Sequence, residues 1–306
     1  MNTDRRPIVT PEGDSRLVIT LGGVVLTVAV LQTSIVPVLD VVAGQLHTSP
    51  VAVSWAVTAN LLAAAAATPL IGRLADLFNK KRVLLAALGL ILVGSLLGAV
   101  TSSLPLLILG RVMQGMSFSL YPIAVSILRD ELPAERLVRS MAMLSAMLGF
   151  GGAFGLVVTG FLMPSGASYH RVFWLNTVAA IAVAVAAAVV VPNRPNRVSA
   201  RIDWAGALGL AAGLCSLMLA VTQGSTWGWT SIRTTGAAAT GVAILTLWWR
   251  RSRRVAQPLV STEMLCTTCA GRCSGARARD TAACGRLVKS HWTRRMTLAA
   301  QSLEHH

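Results

Sequence analysis

The chain has 306 residues, of which 54% are hydrophobic and 13% are charged, and its formal net charge is +15. Because soluble domains carry about a quarter charged residues, this composition excludes an ordinary soluble protein, and the apolar excess also excludes a disordered one. The basic residues stand in short clusters between long uncharged runs, not in the single patch typical of nucleic-acid binding. We therefore predict an integral membrane protein that contacts the lipid bilayer and no nucleic acid.

Eight apolar segments of the sequence are long enough to cross a hydrocarbon core as helices, which takes roughly 20 residues for a core about 30 Å thick. Their apolar residues do not alternate with polar ones, so the pattern favours helices over the strands of a membrane barrel. The predicted spans are Leu17–Leu39, Val51–Leu74, Val83–Val100, Leu104–Leu128, Met141–Met163, Val172–Val191, Trp204–Val221 and Thr234–Trp249.

The distribution of lysine and arginine in the loops predicts the orientation of these spans. Basic loops stay in the cytoplasm, and among the loop cations up to Arg254 only Arg171 and Arg233 fall on the side opposite to the other seventeen. We therefore expect a multi-pass plasma-membrane protein. Its N-terminus and the end of its eighth span should both lie in the cytoplasm. The seventeen are Arg5, Arg6, Arg16, Arg73, Lys80, Lys81, Arg82, Arg129, Arg136, Arg139, Arg194, Arg197, Arg201, Arg250, Arg251, Arg253 and Arg254.

Changes of composition along the chain divide it into six segments. A linker that contains proline and arginine follows the sixth span, and no apolar run long enough to cross a membrane follows Leu265. The predicted segments are a cytoplasmic N-terminal tail (1–16), a six-helix unit (17–192), a cytoplasmic linker (193–203), two additional transmembrane helices (204–249), a basic cytoplasmic segment (250–265) and an atypical, disordered tail (266–306).

The tail contains four of the five cysteines. Zinc sites usually have two closely spaced ligand pairs, whereas only Cys266 and Cys269 have that spacing here. We expect an unstructured tail with reduced cysteines, and a zinc site or a segment translated out of frame are the alternatives. The candidate zinc ligands are Cys266, Cys269, Cys273, Cys284 and His291.

Four polar residues in or at the ends of the spans are candidates for a functional site. Ionisable groups are costly in lipid, so Arg111, which lies several residues inside the fourth span, should face the interior and find a carbonyl, amide or carboxylate there. Asp40 ends the first span, where a position at the membrane interface is an equal alternative. Gln32 and Gln114 are polar but neutral.

Three motifs resemble those of a known family. The loop after the second span keeps six positions of the pattern G-x-L-A-D-R-x-G-R-[KR], the fourth span contains R-x-x-Q-G, and the fifth keeps three glycines of G-x-x-x-G-P-x-x-G-G. The chain thereby resembles the major facilitator superfamily and, within it, the fourteen-span drug:proton antiporters, in which two additional helices follow the sixth. The matching residues are Gly72, Leu74, Ala75, Asp76, Lys80 and Lys81, then Arg111, Gln114 and Gly115, then Gly151, Gly155 and Gly160.

The resemblance implies an all-α integral membrane protein with the six-helix N-terminal half of a major facilitator fold, two additional transmembrane helices and an absent C-terminal half. It also implies secondary active transport, namely the proton-coupled efflux of small amphipathic compounds, with no cofactor and no metal. The residues implied for transport and coupling are Arg111, Gln114, Gln32 and Asp40; those of the gating loop are Gly72, Asp76, Lys80 and Lys81; and the helix-packing glycines are Gly115, Gly151, Gly155 and Gly160.

Gln32 occupies a position that is often acidic in the family. Because an amide cannot titrate, Asp40 is the nearest candidate for a proton-carrying carboxylate. The alternative function is that of a truncated membrane protein that does not transport alone and needs a second chain, either another copy or a separate half-transporter. We do not expect an enzyme, because the sequence has no H-E-x-x-H or G-x-S-x-G motif.

Overall fold

The structure is a computed structural model that describes residues 11–164, 166–193 and 204–252. Within these ranges all regular elements are helical, which confirms the all-α prediction. Two short 3₁₀ helices, Val36–Val38 and Met116–Ser119, interrupt longer helical segments. The α-helices are α1 (Pro11–Thr33), α2 (Leu39–Gln45), α3 (Pro50–Leu77), α4 (Lys80–Val100), α5 (Leu104–Gly115), α6 (Leu120–Glu131), α7 (Ala134–Leu162), α8 (His170–Val190), α9 (Trp204–Trp227) and α10 (Ile232–Ser252).

The chain divides into two units, residues 1–259 and residues 260–306. All of the described helices belong to the first unit. The second unit, which contains the candidate zinc ligands of the tail, lies outside the described residues, as does most of the predicted linker.

Seven helical segments are long and apolar enough to cross a membrane, and they correspond to the first seven predicted spans. The first of them, Gly13–Gln45, joins α1 to α2, and the fourth, Leu104–Glu131, joins α5 to α6. The eighth predicted span forms a helix, α10, but α10 is not among the seven. Its composition explains the difference, because Arg233 lies at its start, Arg250 and Arg251 lie at its end, and glycines and threonines fill much of its first half.

Local sequence signals set the boundary between α3 and α4. The side-chain oxygen of Asn79 accepts hydrogen bonds from the backbone N–H groups of Lys81, at 3.0 Å, and Arg82, at 3.4 Å. These bonds satisfy donors that have no partner inside the helix, so α4 begins directly after Asn79. Two lysines are thereby held in the first turn of α4, at the end of the bundle that we call the basic end because Arg16, Lys80, Arg129 and Arg136 lie there.

The six-helix unit, whose six spans comprise α1 to α8, has two apolar core clusters. One lies towards the basic end and the other towards the opposite end, where α2 and the loop before α8 are found. The basic-end cluster includes Leu17, Leu21, Leu31, Leu84, Ile91, Leu120, Leu128 and Val191. The opposite-end cluster includes Ile35, Val38, Val53, Ala99, Leu107, Tyr169 and Phe173.

Helices α9 and α10 form a hairpin that packs on the six-helix unit through α9 and α3. Within the hairpin, Gly213 of α9 faces Leu245 of α10, and a Cβ at Gly213 would lie 2.6 Å from that side chain. Gly241 of α10 similarly faces Leu217 of α9. The two glycines therefore allow the helices to approach more closely than larger residues would.

Candidate functional site

Arg111 lies in α5 and is almost completely buried, with 1% of its surface exposed. Its Nη1 atom donates a hydrogen bond of 2.5 Å to Oε1 of Gln114, one turn later on the same helix. Gln114 is also fully buried, and its Nε2 atom donates to the hydroxyl of Ser95 on α4 at 2.8 Å. The prediction that Arg111 faces the interior is confirmed, and the amide of Gln114 is one of the three partner types expected for it.

A second group of polar side chains joins three spans. Nδ2 of Asn60 on α3 donates to Oε1 of Gln32 on α1 at 2.6 Å, and Nε2 of Gln32 donates to the hydroxyl of Ser117 at 2.9 Å. Ser117 belongs to the 3₁₀ turn that follows α5. This chain of amides and a hydroxyl therefore ties spans one, two and four together at one point.

Two buried polar atoms of these groups have no hydrogen-bond partner among the described residues, namely Nε of Arg111 and Oδ1 of Asn60. A buried polar group without a partner is unfavourable, and a buried charge more so. Moreover, Arg111 forms no ion pair with any carboxylate in the described part of the chain. The site therefore has one free donor, one free acceptor and one uncompensated positive charge.

These polar side chains, which we call the polar network (Gln32, Asn60, Ser95, Arg111, Gln114 and Ser117), lie at intermediate depth. Ser95 lies between Ile91 of the basic-end cluster and Ala99 of the opposite-end cluster. In the fourth span, the network residues lie between Leu107 and Leu120, which again belong to different clusters. The network is thus separated from both ends of the bundle by apolar packing, which strengthens its electrostatic interactions.

Glycines allow the helices that carry the network to approach each other. A Cβ at Gly115 would collide with the backbone oxygen of Asn60, and one at Gly94 would lie 2.5 Å from the backbone oxygen of Gly110. The close contact of α5 with both α3 and α4 therefore requires glycine at these positions. The packing role predicted for Gly115 is consistent with this geometry.

Two of the three glycines predicted to pack α7 have close neighbours on α1. A Cβ at Gly151 would lie 2.9 Å from the backbone oxygen of Leu26, and one at Gly155 would collide with the hydroxyl of Thr33. In the described structure no atom lies within 4 Å of a Cβ built at Gly160, so the packing role of that glycine stays a prediction.

The structure does not bring Asp40 into the polar network. Asp40 lies in α2, is exposed, and makes no hydrogen bond or ion pair within the described residues. Its predicted position assumed one continuous helix from Gln32, but α1 ends at Thr33 and the 3₁₀ turn with Pro37 follows. Proline has no N–H group to continue the helical hydrogen bonds, which explains the interruption.

The predicted gating loop forms contacts at the basic end. Nζ of Lys80 lies 2.5 Å from a carboxylate oxygen of Asp130 at the end of α6, and Nζ of Lys81 donates to the backbone oxygen of Ala188 on α8 at 2.7 Å. Nothing lies within 4 Å of a Cβ built at Gly72. The backbone of Asp76 belongs to the last turn of α3, and its side chain lies outside the described structure.

The opposite end of the unit is closed by hydrogen bonds that the sequence did not suggest. Nε2 of Gln45, the last residue of α2, donates to the backbone oxygen of Ala167 at 2.9 Å. The phenol of Tyr169 donates to the backbone oxygen of Thr101 at 2.6 Å. Burial raises the pKa of Tyr169, because the ionised phenolate would be poorly solvated there.

Residues 21–248 match the sequence profile of the Major Facilitator Superfamily, which is three quarters of the chain. The chain belongs to the Major Facilitator Superfamily. Members of this superfamily are transporters, not enzymes. The chain is accordingly a multi-pass membrane protein of this superfamily.

Curated relatives within the superfamily include proteins named for resistance and export. The chain is 28% identical over 211 residues to multidrug resistance protein 3 of Bacillus subtilis, covering 68% of this chain and 41% of the relative. It is 27% identical to the tetracenomycin C resistance and export protein of Streptomyces glaucescens, covering 72% of this chain and 41% of the relative. An uncharacterized MFS-type transporter of Mycobacterium tuberculosis is 29% identical, with 82% of this chain and 36% of the relative covered. The chain thus spans less than half the length of these three relatives.

Solved structures of the superfamily share the fold. A bacterial homolog of the human lysosomal transporter Spinster superposes with a TM-score of 0.54 at 16% identity, covering 77% of this chain and 60% of that protein. The human organic anion transporter MFSD10 gives a TM-score of 0.52 at 15% identity, with 69% and 56% covered. At these identities the comparison supports the fold alone.

Proposed function

We propose that this chain takes part in secondary transport as the N-terminal part of an exporter of amphipathic compounds that is driven by proton entry. The observation that carries the proposal is the polar network, which is buried at intermediate depth among helices of a superfamily transporter unit. The names of relatives from Bacillus subtilis and Streptomyces glaucescens, which refer to multidrug resistance and to export, support the substrate class.

In this proposal Arg111 senses the charge of a group that binds or releases a proton. Its guanidinium is buried and bonded to a neutral amide, so an approaching carboxylate would gain a strong electrostatic interaction and a free Nε donor. Protonation of that carboxylate would weaken the interaction and free the guanidinium of Arg111. Gln32 cannot supply the carboxylate, so we propose Asp40 as the candidate proton carrier; it would have to approach Arg111 in a conformation other than the one described, in which Asp40 lies outside the polar network.

We further propose that the basic end acts as the cytoplasmic gate. The pair of Lys80 with Asp130 and the bond from Lys81 to α8 hold the start of α4 against two other spans. A single exposed pair contributes little stability, about 0–1 kcal/mol, so it can open and close at small cost. Such a reversible contact suits a gate better than a permanent structural link.

The test uses everted membrane vesicles that contain the full chain, with ethidium as the amphipathic probe and an imposed acid-inside pH gradient. We expect ethidium to accumulate above the level in vesicles from the host alone, and to be lost when nigericin collapses the gradient. Arg111→Ala should reduce the initial rate at least about tenfold, because it removes a buried, hydrogen-bonded charge. Arg111→Lys should retain part of the rate, since it keeps the charge but not the fork of donors.

Arg139→Ala serves as the matched control, because Arg139 is an exposed arginine at the basic end and should give the wild-type rate. Accumulation equal to that in host vesicles would refute transport by this chain alone. The alternative is a membrane protein that does not transport alone and needs a second chain. Restoration of ethidium transport by co-expressing a separate second-half chain would then support that alternative.

A further inference from the structure

Helix α9 holds α3 at the turn that carries Asn60. Nε2 of Gln223 on α9 donates a hydrogen bond of 3.2 Å to the hydroxyl of Thr58, and both residues are buried, with 2% and 4% of their surfaces exposed. One turn beyond Thr58, the backbone oxygen of Leu62 accepts a hydrogen bond of 3.3 Å from the thiol of Cys215, also on α9. The two bonds from α9 therefore lie on either side of Asn60 along α3.

The same turn of α3 is confined from α5. The backbone of Gly115 lies so close to the backbone oxygen of Asn60 that a Cβ would collide with it, and that Cβ would lie 2.8 Å from the Cβ of Ala63. The turn formed by residues 58–63 is thus fixed between α5 and α9. From this turn Asn60 donates to Gln32, which in turn donates to Ser117.

We propose that Gln223 is a positioning residue of the polar network. By binding Thr58, it fixes the rotation and depth of the α3 turn from which Asn60 orients the amide of Gln32. The hairpin of α9 and α10 is then a working part of the site and not only a spacer after the sixth span. The transport measurement below depends on the proposed function, whereas the crosslinking and alkylation measurements do not.

The physical reason begins with the cost of burying the side chain of Gln223, which has 2% of its surface exposed. A buried amide is costly unless it is hydrogen-bonded, so an apolar side chain of similar size would pack α9 on α3 at least as favourably. What the amide adds is direction, because a hydrogen bond constrains both the distance and the angle between the two helices. Directional contacts matter most where a network depends on bonds of 2.6 and 2.9 Å, as it does at Gln32.

The first measurement tests the contact in the full chain, with the five native cysteines replaced by serine. Thr58→Cys combined with Gln223→Cys should be crosslinked in membranes by a short bifunctional thiol reagent, whereas Thr58→Cys combined with Thr222→Cys should be crosslinked much less. Thr222 is the neighbouring residue and bonds to its own helix, at the backbone oxygen of Met218. Equal crosslinking of the two pairs would overturn the proposed contact.

The second measurement tests positioning. In the same cysteine-free background, Ser117→Cys is alkylated with N-ethylmaleimide, with and without Gln223→Leu. We expect Gln223→Leu to raise the alkylation rate about threefold, the effect of losing one average interhelical hydrogen bond in a membrane. Thr222→Val is the matched control and should leave the rate unchanged. Equal rates in the Gln223→Leu and Thr222→Val backgrounds overturn the proposal.

The third measurement separates positioning from a merely structural role. In the ethidium transport assay, Gln223→Leu should raise KM about threefold at an unchanged amount of folded protein. Thr58→Ser keeps the hydroxyl and should have the KM of the wild type. Thr58→Val lacks the hydroxyl and should raise KM as Gln223→Leu does. If the wild type transports nothing while the labelling results hold, the proposed function fails and the positioning role stands. If transport holds and the labelling rates are equal, the positioning role fails alone.

Discussion

The close contact between Gly115 and α3 makes a prediction whose sign can be worked out from the structure. In Gly115→Ala the new Cβ would lie 2.8 Å from the Cβ of Ala63, in addition to its collision with the backbone oxygen of Asn60. Because carbon atoms pack best at about 3.5–4.0 Å, α5 and α3 must separate by about 1 Å. Overpacking of this kind costs about 1–3 kcal/mol, and each kcal/mol lowers Tm by about 2–4 °C in a protein of this size.

The assay is thermal unfolding of the purified protein in detergent, followed by tryptophan fluorescence. Gly149→Ala on α7 is the matched control, because nothing lies within 4 Å of a Cβ built there. At such an open helical position alanine is favoured over glycine by about 0.5–1 kcal/mol, so Tm should stay the same or rise. Equal Tm values for Gly115→Ala and Gly149→Ala would refute the argument that α5 requires glycine against α3.

Of three further predictions, two follow from the described structure and one from the distribution of basic residues in the sequence. Gly155→Ala should lower Tm in the fluorescence assay, whereas Gly160→Ala should not, because only the first glycine faces α1. Since burial raises the pKa of Tyr169, the folded protein should lose stability as the pH rises above the ordinary phenol value of about 10, and Tyr169→Phe should lessen that loss; identical alkaline unfolding profiles would contradict it. Accessibility reporters at residues 1 and 255 should both report a cytoplasmic location, and opposite locations would refute the orientation argument.

Half of the polar network, namely Gln32, Arg111 and Gln114, could be predicted from the sequence. Arg111 in an apolar span must face the interior and find a carbonyl, amide or carboxylate there, and the structure shows that Gln114 supplies the amide. Asn60, Ser95 and Ser117 were not predicted, because neutral polar residues are tolerated in spans and often bond to their own helix. Their partners depend on how each helix is rotated against its neighbours, which the glycine contacts of α5 determine.

The position of Asp40 could not be predicted from the sequence. Its expected place assumed that the helix of the first span continues without interruption. Instead α1 ends at Thr33, and Asp40 lies in the separate helix α2. A proline in a span indicates that a change of direction is possible, but the tertiary packing decides where the chain goes next.

The modest apolar character of α10 has a consequence for how the protein is made. Partitioning from the translocation channel into the bilayer depends on the sum of residue contributions, and arginine near a helix terminus, threonine and glycine contribute little or oppose it. α9 is apolar enough to partition by itself, and α10 packs along it with glycines at the contact. Biosynthetic integration of α10 should therefore depend on α9. We expect α9 to enter the lipid first and α10 to follow by packing against it.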